Sequence, residues 1–192
     1  MNSGVPNPEA LLLALDEALD HPVQLIIYGR SAIWLGFKDP PQATAATMDV
    51  DAIIPNEQVR TLAEDIQFWD ARDSVNIKYQ SAGLYITHLF PESAVFLRHC
   101  WASQIVPIDK LPMKHLSLFR PAGVDLVLTK MMRGNDPEDM ADAQFIIRHD
   151  RVSKENLQVA FSQMNQIELI ELRDAFENAK PIILSFAESP KR

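Results

Sequence analysis

Thr47-Met48-Asp49-Val50-Asp51-Ala52-Ile53-Ile54 alternates carboxylates with apolar residues, turns wholly apolar, and is stopped by Pro55. That pattern predicts a β-strand whose apolar side chains lie in a sheet, with Asp49 and Asp51 on one face. Residues two apart on a strand have Cα atoms about 6.6 Å apart. Two carboxylates so placed repel each other unless a cation lies between them. Mg²⁺ suits the position, because it takes oxygen ligands and brings triphosphate oxygens with it. A solvated strand edge or turn is the commoner fate of an isolated Asp-x-Asp. Here Val50, Ile53 and Ile54 make the strand apolar, and idle carboxylates at the end of such a strand would be costly.

Upstream, Val23-Gln24-Leu25-Ile26-Ile27-Tyr28 is a nearly continuous apolar run of strand length, as expected of a buried strand. It gives way to Gly29-Arg30-Ser31 and then Ala32-Ile33-Trp34-Leu35, the expected start of a short helix. Glycine at such a turn permits close backbone approach, the helix start offers N–H groups to a phosphate, and Ser31 could add a hydroxyl donor. Taken alone, a Gly-x-Ser before a helix is ordinary turn chemistry. Before this strand, the residues from Pro8 to Leu19 are expected to form a helix capped by Asn7. Lys38 to Ala46, with Pro40-Pro41, reads as a loop.

Downstream, Asn56 is expected to cap a helix with an apolar stripe of Val59, Leu62, Ala63 and Ile66. Val75 to Tyr79 and Leu84 to Phe90 read as two strands joined around Ser81-Ala82-Gly83. Shorter strands are expected near Gln104 to Ile108 and His115 to Phe119. From Pro121 the pattern becomes helical. Val124, Val127, Leu128 and Met131 mark one helix, ended by Gly134-Asn135. Asp136-Pro137 is a cap and first-turn pair for the next. Leu157, Ala160, Phe161 and Met164 mark a third, and Leu169, Leu172, Phe176 and Ala179 a fourth, kinked or ended by Pro181. The order predicts an α/β (α+β) fold with a small mixed sheet flanked by helices, not a doubly wound parallel sheet. Residues 1–120 would form the α/β core, and residues 121–192 a helical part packed on it as one compact unit.

The second group of charged residues lies in Lys130-Met131-Met132-Arg133-Gly134-Asn135-Asp136-Pro137-Glu138-Asp139-Met140-Ala141-Asp142. Lys130 and Arg133 share one helix face, and Asp139 and Asp142 share another. Two arrangements satisfy this spacing. In one, Asp136 is only a cap and the basic and acidic pairs bridge the turn; in the other, Lys130 or Arg133 meets a triphosphate while the acids orient it.

The chain has 192 residues and a formal net charge of −8, so a broad nucleic-acid-coating surface is not expected. A small basic pocket for a nucleotide or an RNA end is compatible with that charge. Cys100 is the single cysteine, which excludes an intramolecular disulfide and suits a reducing cytoplasm. The run Leu11-Leu12-Leu13 is followed at once by Asp16 and Glu17 and reads as an amphipathic helix, not a signal peptide. No apolar stretch approaches the roughly 20 residues that span a bilayer. A soluble, cytoplasmic protein with no membrane association is expected.

Taken in order, these residues resemble the polymerase-β-like nucleotidyltransferase superfamily, in which a strand ending in Gly-(Gly/Ser) precedes an Asp-x-Asp strand. Asp125-Leu-Val-Leu-Thr-Lys130-Met-Met-Arg133 followed by Asp136-Pro-Glu-Asp139-Met-Ala-Asp142 is similar to the Lys…Arg…Asp-x-x-Asp signature of AbiEii-type toxins and related proteins. The resemblance runs from Leu25 to Ile147. It implies transfer of a nucleoside monophosphate from an NTP to an acceptor, with one or two Mg²⁺ ions on Asp49 and Asp51. Gly29, Arg30 and Ser31 would lie at the β- and γ-phosphates. Lys130, with Arg133, Asp136, Asp139 and Asp142, would complete the nucleotide pocket. The acceptor in such families can be a tRNA end, and a cognate antitoxin restrains the enzyme. Two departures stand out. Arg30 replaces a second small residue. The third carboxylate, expected on a later strand, is absent from Leu84 to Phe90, where His88 stands instead; Asp73 and Asp109 are the other candidates. A degenerate fold that binds a nucleotide or a protein without turnover is the alternative.

Overall fold

In a computed structural model, residues 5–165 and 168–187 are described. The chain divides into two compact units, Met1–Pro91 with Val106–Arg120, and Glu92–Ile105 with Pro121–Arg192.

The first unit contains α1 (Asn7–Ala18), β1 (Val23–Tyr28), α2 (Gly29–Gly36), β2 (Asp49–Ile54), α3 (Asn56–Ala63), α4 (Ile66–Tyr79), β3 (Tyr85–Pro91), β4 (Val106–Pro107) and β5 (Leu116–Arg120). The strands form one mixed sheet in the order β3-β2-β1-β5-β4. β1 pairs antiparallel with β2 and parallel with β5, while β3 runs parallel to β2. The apolar run that defines β1 lies at the middle of the sheet, with Leu25, Ile26 and Ile27 at most 2% exposed. β5 is fixed at its start by Asp16 of α1, whose carboxylate accepts the backbone N–H groups of Lys114, His115 and Leu116. Burial alone would push that carboxyl up, but the three N–H donors hold it below the usual carboxylate value.

The first unit departs from the sequence expectations at its helices and loops. Asn7 does not cap α1: Pro6 occupies the cap position, and Asn7 Nδ2 donates to Thr47 O at 3.1 Å, tying the helix to the entry of β2. The loop from Lys38 to Ala46 contains a short 3₁₀ turn at Gln42–Ala46. The expected stripe of Val59, Leu62, Ala63 and Ile66 is not a buried face. Pro55, not Asn56, takes the cap position of α3, none of the residues of α3 is buried, and Ile66 is 74% exposed. Val75 to Tyr79 is the end of α4, not a strand. Asp65 starts α4 by accepting the N–H of Phe68, and Phe68, Ala71 and Val75 recur at helical spacing on its buried face.

The second unit holds α5 (Gly123–Lys130), α6 (Pro137–His149), α7 (Lys154–Ser162) and α8 (Ile170–Phe186). Gly134, at φ +68°, closes the 3₁₀ turn that follows α5, and Asp136 caps α6 through the N–H groups of Glu138 and Asp139. Pro181 sits inside α8 without ending it. Glu92–Ile105 belongs to this unit. Asp125, fully buried, receives Arg98 Nε at 3.0 Å and Arg98 Nη2 at 2.7 Å. Asn165 exchanges hydrogen bonds with Leu97 and donates to Val95 O. Among the described residues, no helix is long and apolar enough to cross a membrane.

Candidate active site on the Asp49–Asp51 strand

The first unit gathers the two carboxylates and the glycine turn. On β2, Val50 and Ala52 are at most 1% exposed, whereas Asp49 and Asp51 alternate with them and are half-buried. Tyr28, the last residue of β1, stands directly opposite Asp51 in the antiparallel register. Gly29 therefore opens α2 beside that carboxylate: a Cβ at Gly29 would stand 3.9 Å from Asp51 Oδ2. Gly29 adopts φ +67°, which side-chain-bearing residues rarely adopt, so glycine serves both the turn and the close approach. α2 has no side-chain cap at its start.

Two threonines hold the carboxylates. Thr47 Oγ1 donates to Asp49 Oδ1 at 2.9 Å, and Thr87 Oγ1 donates to Asp51 Oδ1 at 2.7 Å. Burial, then the negative charges of Asp51 and Asp49, push the Tyr28 phenol well above its ordinary value, so it stays protonated beside them. Tyr28 also meets Phe90 edge-on at 6.5 Å.

The Ser31 hydroxyl is engaged within the turn itself. The residue is 1% exposed, and its hydroxyl donates to Tyr28 O at 3.0 Å, fixing the strand-to-helix turn. Arg30 is half-buried in the first turn of α2 and engaged in an interaction of its own. Neither expected substitute for a third carboxylate joins the pair. Asp73 is exposed on α4 and bonded to Arg72, and Asp109 is exposed after β4. Among the described residues, no group of three or more His, Cys, Asp or Glu could hold a metal ion. His88 lies on β3, and its side chain is outside the described structure.

In the second unit the other expected site residues form a closed ion-pair cluster. Lys130 Nζ donates to Asp139 Oδ1 at 2.9 Å and to Asp142 Oδ2 at 2.7 Å, and its side chain is 8% exposed. Arg133 Nε donates to the second oxygen of Asp139, and Arg133 Nη2 lies 3.3 Å from Asp136 Oδ1. Burial would raise the Asp139 carboxyl, but the Arg133 hydrogen bond and the Lys130 charge hold it below the usual carboxylate range. The Asp139 hydrogen bond in turn holds the Arg133 guanidinium protonated. Of the two arrangements that satisfy the spacing, these contacts are those of the bridge across the turn, with Asp136 as the cap. A triphosphate contact by Lys130 would require breaking both of its ion pairs.

Sequence reasoning missed Thr47, Thr87 and Tyr28. Thr47 lies two residues before Asp49, a spacing that puts both on one face of an extended chain. Thr87 carried no signal, because its contact depends on a slip in the strand ladder.

The family model described as nucleotidyltransferase of unknown function (DUF6036) matches residues 10–180. Nothing matches the chain among curated proteins or among solved structures.

Proposed function

The chain belongs to the DUF6036 family of nucleotidyltransferases of unknown function, and from that premise we propose that it transfers a nucleoside monophosphate from an NTP to a hydroxyl, with Asp49 and Asp51 as the cation-holding pair. One observation carries the assignment to this pair. The glycine turn comes close to Asp51 Oδ2, 3.9 Å from where a Cβ at Gly29 would stand, so a phosphate at the turn and a cation on that carboxylate would adjoin.

The donor set fits Mg²⁺. This cation is commonly held by one or two carboxylates plus substrate phosphates and keeps several waters, so a third protein carboxylate is not obligatory. When bound, Mg²⁺ would neutralise the phosphates and polarise the α-phosphoryl group. Asp49 and Asp51 supply the negative oxygens, fixed in orientation before substrate arrives. Gly29 leaves the start of α2 open to the β- and γ-phosphates, where backbone N–H groups favour anions. In the reaction the acceptor oxygen bonds to the α-phosphorus, the bond to the β-phosphate oxygen breaks, pyrophosphate leaves, and the hydroxyl proton passes to solvent.

The resemblance to AbiEii-type toxins extends the proposal to an acceptor on an RNA end, such as tRNA, or on a protein, and to restraint by a cognate antitoxin. The net charge of −8 favours a local contact with an RNA end over a long duplex footprint. A second reading, a degenerate fold that binds a nucleotide or a protein without turnover, is favoured by one feature: β3 carries no Asp or Glu.

The test is a thermal-shift titration with ATP, GTP, CTP and UTP, each with and without Mg²⁺, on wild type and Asp49→Asn. Mg²⁺-dependent stabilisation by at least one NTP, lost in the variant, is the expected result. No response to any nucleotide would remove the nucleotide site.

A further inference from the structure

The two oxygens of Asp51 have different surroundings. Oδ1 accepts the Thr87 hydroxyl at 2.7 Å, and Oδ2 lies on the side of the Gly29 turn. Thr87 reaches this position through an irregularity in the parallel ladder. The pairing passes from Val50↔Ile86 to Ala52↔Leu89, so Asp51 stands opposite two residues of β3, Thr87 and His88. Such bulges re-aim side chains and are over-represented next to active sites. Asp49 is likewise held by a threonine hydroxyl, that of Thr47 two residues before it, whose own carbonyl is tied to α1 by Asn7. A threonine hydroxyl has one proton to give. Donated to one carboxylate oxygen, it sets the plane of the group and the direction of the other oxygen. The Thr87 hydroxyl is neutral, so it orients the carboxylate without adding ligand charge, and ligand charge count is a main determinant of affinity at oxygen-ligated cation sites.

We infer that Thr87 is a positioning residue: its hydroxyl turns Asp51 so that Oδ2 faces the Gly29 turn, where a cation and its triphosphate would meet. This rests on the nucleotidyltransferase reading above. It follows that the cation binds weakly alone and tightly only with an NTP, whose oxygens complete its shell. It also follows that loss of the hydroxyl removes a constraint on the direction of Oδ2. Partners that orient metal ligands typically change metal affinity about 10–100-fold when removed.

The experiment is a Mg²⁺ titration followed by thermal shift, with ATP, GTP, CTP and UTP present together at fixed concentration. Wild type, Thr87→Val, Thr87→Ala and Thr87→Ser are compared, and each melting temperature is also recorded without Mg²⁺. The expected result is a Mg²⁺ midpoint raised about tenfold or more in Thr87→Val and Thr87→Ala, with Thr87→Ser restored close to wild type. Thr87→Ala keeps the comparison available should the valine not fold. A wild-type midpoint in either hydroxyl-free variant overturns the inference, as does a serine variant as weak as valine, which would assign the effect to disturbed packing at position 87 and not to the hydroxyl. A wild type silent to Mg²⁺ with all four NTPs overturns the nucleotidyltransferase reading and this inference together. A responsive wild type with unshifted variants overturns this inference alone.

Discussion

Asp49 and Asp51 in the first unit and Lys130, Arg133, Asp139 and Asp142 in the second are both tight groups of charge, yet they are built in opposite ways. The first has one sign of charge, is half-buried, and is held by neutral hydroxyls at 2.7 and 2.9 Å. The second pairs each buried charge with its opposite, Lys130 Nζ lying within 2.9 Å of two carboxylates. A like-charge pair on an ordered strand is a place where a bound cation lowers the mutual repulsion. A neutralised buried cluster is already complete. It gives little net stability compared with apolar packing, but removing one member is severe. Motif spacing in a sequence does not distinguish these two arrangements, whereas their contacts differ.

The largest expected effect separates them by function. Asp49→Asn should reduce Mg²⁺-dependent nucleotide transfer to background, with a melting temperature unchanged or raised because like-charge repulsion is relieved. A marked drop in melting temperature would instead give Asp49 the structural character assigned to the second cluster. Next in size is Lys130→Met, which leaves Asp139 and Asp142 buried without their lysine. It should cost about 3–5 kcal/mol in stability, read by denaturant unfolding, while the folded protein binds Mg²⁺ and NTP as before. Selective loss of NTP binding at unchanged stability would return Lys130 to the nucleotide pocket.

Gly29→Ala sharpens the first half of the comparison. A side chain at φ +67° costs about 1–2 kcal/mol, and the added methyl should weaken NTP binding through its place beside Asp51. Unaltered nucleotide affinity in that variant would detach the turn from the site. The smallest effect is in acid. Asp139 and Asp16 have folded values below the ordinary 3.8, so each contributes stability that is present above that pH and lost as pH falls through the folded value. Asp16→Asn should lower stability at neutral pH and flatten the acid limb of an unfolding curve recorded below about pH 4. An unchanged acid limb would show that the N–H groups of Lys114 to Leu116 do not stabilise the charged carboxylate.

Much of the sheet was legible because burial on both faces writes a continuous apolar run. β1 begins at Val23 and ends at Tyr28 as that run does, and β2 runs from Asp49 to Ile54, its two carboxylates alternating with buried Val50 and Ala52. The end of α4 reads as a strand in sequence because Val75-Asn76-Ile77-Lys78-Tyr79 alternates like one. The helix is set by Asp65 at its start and by Phe68, Ala71 and Val75, and Ile77 is left 72% exposed. The excursion of Glu92–Ile105 into the second unit depends on Asp125 and Asn165, partners far away in sequence that no local pattern announces. At the candidate site, Asp49, Asp51 and Gly29 were legible from residue type and spacing. Thr87 was not, because the ladder slip that brings it to Asp51 exists only in three dimensions.

The central claim is that the Asp49–Asp51 strand is the nucleotide site and the Lys130 cluster is scaffold. Isothermal titration of each Mg²⁺–NTP into wild type, Asp49→Asn and Lys130→Met, well below the melting temperature of all three, tests it directly. The account predicts binding of at least one NTP by wild type and Lys130→Met, and none by Asp49→Asn. Binding retained in Asp49→Asn and lost in folded Lys130→Met would contradict it.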